Sequence, residues 1–195
     1  MHTELDLIKN EVKIVNEADL DLITKEVKIM SEMKIMSEVE GLFEKSGGKL
    51  LTFMLGKQEY GIQILEAREV VGLMHIDPVP KTPDFMKGVI NLRGKIIPVI
   101  DLRSKFEMEK ADYTGDTCIV VVDIKGKMTG VIVDFLSGVV TLEKNNFEES
   151  PELGSNIRTD FIIGMAKLEK RVIIVLDMGK ILSNEELLQV HNNAA

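Results

Sequence analysis

An internal repeat is the feature that most constrains the fold of this chain. Residues 88–102 (GVINLRGKIIPVIDL) align without gaps on residues 164–178 (GMAKLEKRVIIVLDM), with five of fifteen positions identical and five conservative. Upstream, matching blocks lie within residues 61–71 and 130–140. Each unit then holds about five strands, too few for an open sheet to bury both faces, so two small β-barrels packed together are expected. The alternative is a chance match, because any two β-hairpins share Gly, Val, Ile and Asp.

From Lys49 onward, short runs of β-type residues alternate with turn residues, a pattern typical of an all-β domain. Three prolines between residues 73 and 87 exclude a central strand there and favour a loop, with at most one helical turn at residues 84–86. Residues 184–190 follow Ser183, a suitable N-cap, and predict a short helix. The predicted hairpins join residues 50–55 with 60–65, 89–92 with 96–101, and 119–124 with 128–135.

Residues 1–48 differ in composition from the rest and predict a helical or partly disordered extension that ends at the Ser46-Gly47-Gly48 break. Alternating steps of four and three from residue 8 give eight apolar positions of eleven, but Asp19, Glu26 and Glu40 interrupt this seam. Three alternatives stay open: a helix docked on the body or on another copy, a disordered arm, or a coiled-coil dimer. The predicted domains are therefore the extension, a body at residues 49–188, and a tail at residues 189–195.

Composition excludes several classes of function. The chain has 32 acidic residues against 24 Lys and Arg, a formal charge of −8, which disfavours binding to nucleic acid and to anionic membranes. No apolar run approaches the roughly 20 residues of a membrane span. A single cysteine, Cys118, permits neither an internal disulfide nor a cysteine-based metal cage. We therefore expect a soluble, cytoplasmic protein without direct membrane insertion.

The residues that carry chemistry form no recognisable catalytic motif. The three histidines are scattered, and neither a nucleophile elbow nor a complete phosphate loop is present. Cys118 precedes an apolar strand and is expected to be a small buried residue. Asp101 and Asp177 occupy equivalent repeat positions, which indicates a shared structural role such as capping the next turn. Metal catalysis is therefore not expected, and no pattern of residues indicates a cofactor or an active site.

One motif stands out. Residues 88–103 (GVINLRGKIIPVIDLR) resemble the signature of the CheW family, adaptors that couple bacterial chemoreceptors to the chemotaxis histidine kinase CheA. Residues 53–62 resemble the family's first hairpin, 83–88 its approach to the signature, and 130–134 a later strand. The resemblance covers about 140 residues, 49–188, with all blocks in the family's order and spacing.

This resemblance implies two five-stranded, SH3-like barrels, no catalysis, and a scaffold with two partners. One surface would bind the regulatory domain of CheA, and another the cytoplasmic tip of a chemoreceptor, which would recruit the protein to the inner face of the membrane. The long extension departs from the family and raises the possibility of self-association through residues 1–48. Two other hypotheses for the function stay open, although no motif supports them. One is a small-molecule or peptide-binding double β-barrel unrelated to chemotaxis, and the other is an enzyme with an unfamiliar site.

Carried over position by position, the family's functional residues identify a candidate protein-binding set. Arg93 is the best supported, because the second repeat unit has Glu169 at the same place and so reverses the charge while keeping the turn. An internal ion pair is the alternative role for Arg93, an ordinary solvated acid for Glu69, and core packing for Leu136 and Val139. The glycines of the motif, Gly88 and Gly94, are expected to serve close approach and positive φ angles first. The full set is Ala67, Glu69, Gly88, Asn91, Arg93, Leu136 and Val139.

Overall fold

The computed structural model describes residues 17–149, 160–169 and 171–192. The chain divides into two compact units, Met1–Glu38 and Val39–Ala195. The described part of the first unit is helical, whereas the second unit contains both β-sheets. The sequence boundary at residue 48 thus marks the start of the first strand, and the compact body begins ten residues earlier, within the helix.

The elements follow one another in an order dominated by strands. The helices are α1 (Glu17–Ser46), α2 (Leu102–Lys105) and α3 (Asn184–Asn192), and short 3₁₀ turns cover Lys144–Asn146 and Met178–Lys180. The strands are β1 (Lys49–Leu55), β2 (Gln58–Gln63), β3 (Ala67–Gly72), β4 (Met86–Leu92), β5 (Lys95–Asp101), β6 (Cys118–Ile124), β7 (Lys127–Val133), β8 (Phe135–Thr141), β9 (Phe147–Glu149), β10 (Ile162–Leu168) and β11 (Arg171–Leu176).

The strands form two sheets. The six-stranded sheet has the order β8-β1-β2-β11-β10-β9, and the five-stranded sheet has the order β3-β6-β7-β5-β4. A mainly β fold with two sheets and a short C-terminal helix is therefore confirmed. Among the described residues, backbone pairing joins neither β3 to β4 nor β8 to β9, so the hydrogen bonding does not show the closed barrels that the repeat and the family resemblance led us to expect.

The two repeat units exchange strands. A shift of 76 residues places β4 on β10 residue for residue, and the shift of 69 places β2 over β7 and β3 over β8. Applied to the five-stranded sheet, this correspondence reproduces the first five strands of the six-stranded sheet in the same order. Each sheet thus combines the first hairpin of one unit with the remaining strands of the other, joined by the parallel pairs β5–β7 and β2–β11. Neither unit can complete a sheet alone.

Apolar residues inside each sheet form related clusters. Ile97 and Val99 belong to the cluster of the five-stranded sheet, and Ile173 and Val175 occupy the equivalent places in the other. A third and larger cluster combines residues of both sheets with Leu187 and Val190 of α3. Burial of these side chains is the main favourable contribution to the folding of the body.

Each sheet cluster is completed by side chains from outside the sheet. Leu42, fully buried, and the partly buried Phe43 come from the last turns of α1 and pack on the six-stranded sheet. Ile76 comes from the proline-containing loop and packs on the five-stranded sheet. The C-terminal turns of α1 therefore belong to the hydrophobic core of the body.

Most local predictions hold. The three hairpins and the C-terminal helix are present, and α1 ends at Ser46, where Gly47 and Gly48 have φ values of 59° and 71°. At residues 84–86 the structure has one hydrogen-bonded turn, in which the amide of Met86 donates to the carbonyl of Pro83, and this turn leads directly into β4. The predicted seam before residue 17 lies outside the described residues.

Candidate functional site

The β4–β5 turn presents Arg93 to solvent. Arg93 and Gly94 both have positive φ values, 53° and 82°, as a two-residue type I′ hairpin turn requires. The Gly94 amide donates to Asn91 Oδ1 at 2.8 Å, which fixes the turn. The Arg93 side chain is 79% exposed. A short hairpin thus holds a cationic side chain outward on a well-defined backbone.

Arg93 is paired with Glu69 across the five-stranded sheet. Arg93 Nη2 lies 2.5 Å from Glu69 Oε1, and the Glu69 side chain is 28% exposed. Glu69 belongs to β3 and Arg93 follows β4, the two edge strands, so the sheet curves enough to bring its edges together. The equivalent positions in the other sheet are Gly138 and Glu169, which cannot form this pair. The ion pair is therefore specific to one sheet.

Gly88 and Ala67 have structural roles in the same sheet. Gly88 has a φ of 140°, and a Cβ atom there would lie 2.1 Å from the carbonyl oxygen of Asp77. Asp77 and Val89 exchange two backbone hydrogen bonds of 2.9 Å, which hold the proline-containing loop against β4. Ala67 is half-buried and packs against the large core cluster. Close approach explains Gly88, as expected from its sequence context.

Leu136 and Val139 lie on the other sheet. Both belong to β8, an edge strand of the six-stranded sheet, where Leu136 is half-buried against the large core cluster and Val139 is 56% exposed. Val139 corresponds in the repeat to Val70, which is also exposed. The structure thus brings Arg93, Asn91 and Glu69 together and places the two apolar candidates on a separate surface.

A groove of about 600 Å³ lies beside the Arg93–Glu69 pair, and sequence reasoning missed it. Its cationic lining residues come from β3, from the β4–β5 turn and from the starts of β5 and β7, and α3 contributes His191. Burial, and then the positive charge of Lys127, lower the pKa of the His191 imidazole. No sequence signal could assemble this groove, because its residues are close only through the sheet topology. We call it the cationic groove; its charged members are Arg68, Glu69, Arg93, Lys95 and Lys127.

Other polar groups hold the fold together. Arg103 donates from Nε to Asp134 Oδ1 at 2.7 Å, and the amide of Gly56 donates to Asp134 Oδ2, also at 2.7 Å. Burial raises the pKa of Asp134, but these two donors outweigh burial and lower it overall. Asp101 and Asp177 both accept backbone N–H groups at the start of the following helical turn, which confirms their predicted capping role.

Three further observations concern the cysteine, metal ligands and membrane spans. Cys118 is buried, as expected, and burial raises the pKa of its thiol. Within the described ranges, no three His, Cys, Asp or Glu side chains are placed to hold a metal ion. In the same part of the chain, every helix is too short or too polar to cross a membrane.

Known proteins with similar sequences and structures agree with the motif. The CheW-like domain family model matches residues 49–186. The chain is 37% identical over 165 residues to the chemotaxis protein CheW of Klebsiella aerogenes, which covers 85% of this chain and 98% of the relative. It is 32% identical to chemotaxis protein CheW of Bacillus subtilis, over 72% of this chain and 90% of the relative.

A solved structure gives the same result at the level of the fold. The scaffolding protein TtCheW from Thermoanaerobacter tengcongensis superposes with a TM-score of 0.65 at 37% sequence identity, covering 71% of this chain and 90% of that one. The resemblance drawn from residues 88–103 is thus confirmed by the family model, by full-length relatives and by a related structure. The chain belongs to the CheW family.

Proposed function

We propose that this protein is a non-enzymatic chemotaxis adaptor that couples chemoreceptors to the histidine kinase CheA. The observation that carries the proposal is the family match over residues 49–186, together with relatives named chemotaxis protein CheW at 30–37% identity. An adaptor needs partner surfaces on a stable scaffold rather than converging catalytic groups. The interleaved sheets supply such a scaffold.

As an adaptor, the protein would bind two partners through two surfaces. One partner is the regulatory domain of CheA and the other is the cytoplasmic tip of a chemoreceptor, which would hold the protein at the inner face of the membrane. Two candidate surfaces are available: the Arg93–Glu69 region on the five-stranded sheet, and the β8 edge with Leu136 and Val139 on the other. Because the surfaces lie on different sheets, two partners can bind without competing for one site.

Energetics support a binding role for Arg93. An exposed ion pair contributes only about 0–1 kcal/mol to folding, so the pair with Glu69 is not required for stability. The equivalent turn in the other sheet folds with Glu169, which has a φ of 49°, so the hairpin does not need a cation either. A planar, exposed guanidinium held on a short turn is well suited to bind a carboxylate of a partner.

The test is co-sedimentation with a receptor signalling fragment and CheA, comparing Arg93→Glu with Lys125→Glu. Lys125 is the matched control, since it is also an exposed cation with positive φ, 50°, in a Lys-Gly turn of the neighbouring hairpin. We expect Arg93→Glu to reduce assembly about ten-fold, the loss of roughly 1.4 kcal/mol that one charge-assisted contact can supply, with unchanged circular dichroism. Lys125→Glu should assemble like the natural protein.

A charge swap separates partner binding from internal pairing. The double variant Arg93→Glu/Glu69→Arg retains an ion pair between the same positions but presents the opposite charge at the turn. If Arg93 binds a partner, the double variant remains defective in assembly. Recovery of assembly in the double variant, or undiminished assembly of Arg93→Glu alone, would contradict the assignment of this residue.

A further inference from the structure

The helix α1 exposes a group of large apolar side chains. Met30 and Met33 are 71% and 66% exposed, and Leu22 and Ile29 are also exposed. These four side chains lie within about three helical turns, and soluble proteins seldom leave such a cluster uncovered. Methionine side chains are flexible and adapt to irregular surfaces. This helical segment therefore has the properties of a docking element.

The same segment is acidic. Residues 17–38 contain six acids, from Glu17 to Glu38, and three lysines, a net charge of −3. The fit of this segment to another surface thus depends on two properties, apolar side chains and negative charge. A suitable receiving surface needs an apolar floor and unpaired cations.

The cationic groove has both an apolar floor and unpaired cations. Its floor is apolar: Ile96 and Met128 are exposed, and Leu92 is half-buried beside the buried Ile97 and Val121. At its rim, Arg68 is paired with Asp123 and Arg93 with Glu69. Within the described residues, no ion pair involves Lys95 or Lys127.

We propose that the Glu17–Glu38 segment of α1 from one copy of this protein docks in the cationic groove of a second copy. The apolar side chains would cover the floor, and the acidic side chains would pair with Lys95 and Lys127 at the rim. The contact is heterologous, because it joins the helix of one copy to the groove of another. If two copies each dock a helix in the other's groove, a closed dimer forms. If each copy docks in the next, longer assemblies form.

Helix-to-helix pairing is the competing mode of self-association, and charge distinguishes the two. Two α1 segments would each carry −3 and repel, so salt would strengthen a coiled coil. Docking of the acidic helix on a cationic groove is attractive, so salt weakens it. The sign of the salt dependence therefore identifies the surface that α1 contacts.

The test is analytical ultracentrifugation of the purified chain over a range of concentrations, at about 0.05 M and about 0.5 M NaCl. We expect self-association that weakens at the higher salt concentration. Lys95→Glu/Lys127→Glu should abolish it by reversing the free charge of the groove, and Asp21→Lys/Glu26→Lys should abolish it by reversing the charge of the helix. Lys57→Glu, an exposed change in the β1–β2 turn, is the matched control and should have no effect.

The decisive variant combines all four reversals. It restores opposite charges on the two surfaces and is expected to self-associate again. A chain that stays monomeric at every concentration would overturn the proposal. It would also be overturned by association that strengthens with salt and is insensitive to Lys95→Glu/Lys127→Glu. Since the assay contains no receptor or kinase, neither result depends on the proposed adaptor function.

Discussion

Glu66 lies in the turn between β2 and β3 and is poorly accommodated as a charged group. Burial, and then the nearby Asp177 carboxylate, raise the pKa of Glu66 from 4.5 to about 7. The amide of Gln63 donates to Glu66 Oε2 at 3.1 Å and offsets part of this effect. Because the folded-state pKa lies above the unfolded value, the folded state binds the extra proton between these two pH values. This residue therefore destabilises the fold progressively as the pH rises from 4.5 to about 7.

Glu66→Gln should remove this pH-dependent destabilisation. At pH 8 we expect the variant to be more stable than the natural protein by about 1–3 kcal/mol, because the buried charge is gone and the amide oxygen still accepts from Gln63. The difference should nearly vanish as the pH falls towards 4.5, where Glu66 is protonated. Urea unfolding at a series of pH values measures it. A stability difference that stays constant with pH would show that Glu66 does not titrate in this range.

At the residue scale, the sequence was informative where the repeat duplicates a position. The caps Asp101 and Asp177 were predictable because the same residue follows the same strand twice. The place of Arg93 in a tight turn was predictable from its motif, but its pairing with Glu69 was only one of the alternatives, since two edge strands meet only when the sheet curves. The altered pKa of Glu66 had no sequence signal, because its burial and its proximity to Asp177 both depend on tertiary contacts.

The helix α1 has two different parts. Leu42, near its C-terminal end, is fully buried in the cluster of the six-stranded sheet, whereas Met30, three turns earlier, is 71% exposed. Removing residues 1–47 would therefore take away part of the core together with the extension. Residues 1–38 form the separate unit, so a truncation that removes only these residues would keep Leu42 in the chain.

Leu42→Ala and Met30→Ala should have different effects on stability, because they lie in these two parts of the helix. We expect Leu42→Ala to lower the free energy of unfolding by about 3 kcal/mol, through lost burial and the cavity left behind. Met30→Ala should change it by less than about 0.5 kcal/mol, because the side chain is largely solvated. Equilibrium urea unfolding measures both. Equal effects of the two substitutions would contradict the placement of Leu42 in the core.

At the scale of elements, local structure was predictable and strand pairing was not. Alternating apolar residues and Gly-containing turns specify the hairpins directly, and these are present. The exchange of strands between repeat units was not foreseen, because the repeat shows which segments are equivalent but not which copy of each segment pairs with which. The same limit applies to the cationic groove, whose lining comes from strands distant in sequence.

At the scale of the whole chain, the exchange makes the two sheets interdependent. The large core cluster contains residues of both sheets, and the Arg103–Asp134 pair links α2 to the residue between β7 and β8. Loss of either repeat unit would leave strands without partners in both sheets. A body built in this way is expected to present its two candidate partner surfaces in a fixed relation to each other, which suits an adaptor.

Receptor control of kinase activity is the most direct test of the proposed function. The autophosphorylation rate of CheA should be measured with a chemoreceptor signalling fragment, with and without this protein. We expect the fragment to change the kinase rate only when the protein is present, and we expect Arg93→Glu to diminish this change while Lys125→Glu preserves it. If the fragment changed the kinase rate equally without the protein, or if adding the protein had no effect, the adaptor function would be contradicted.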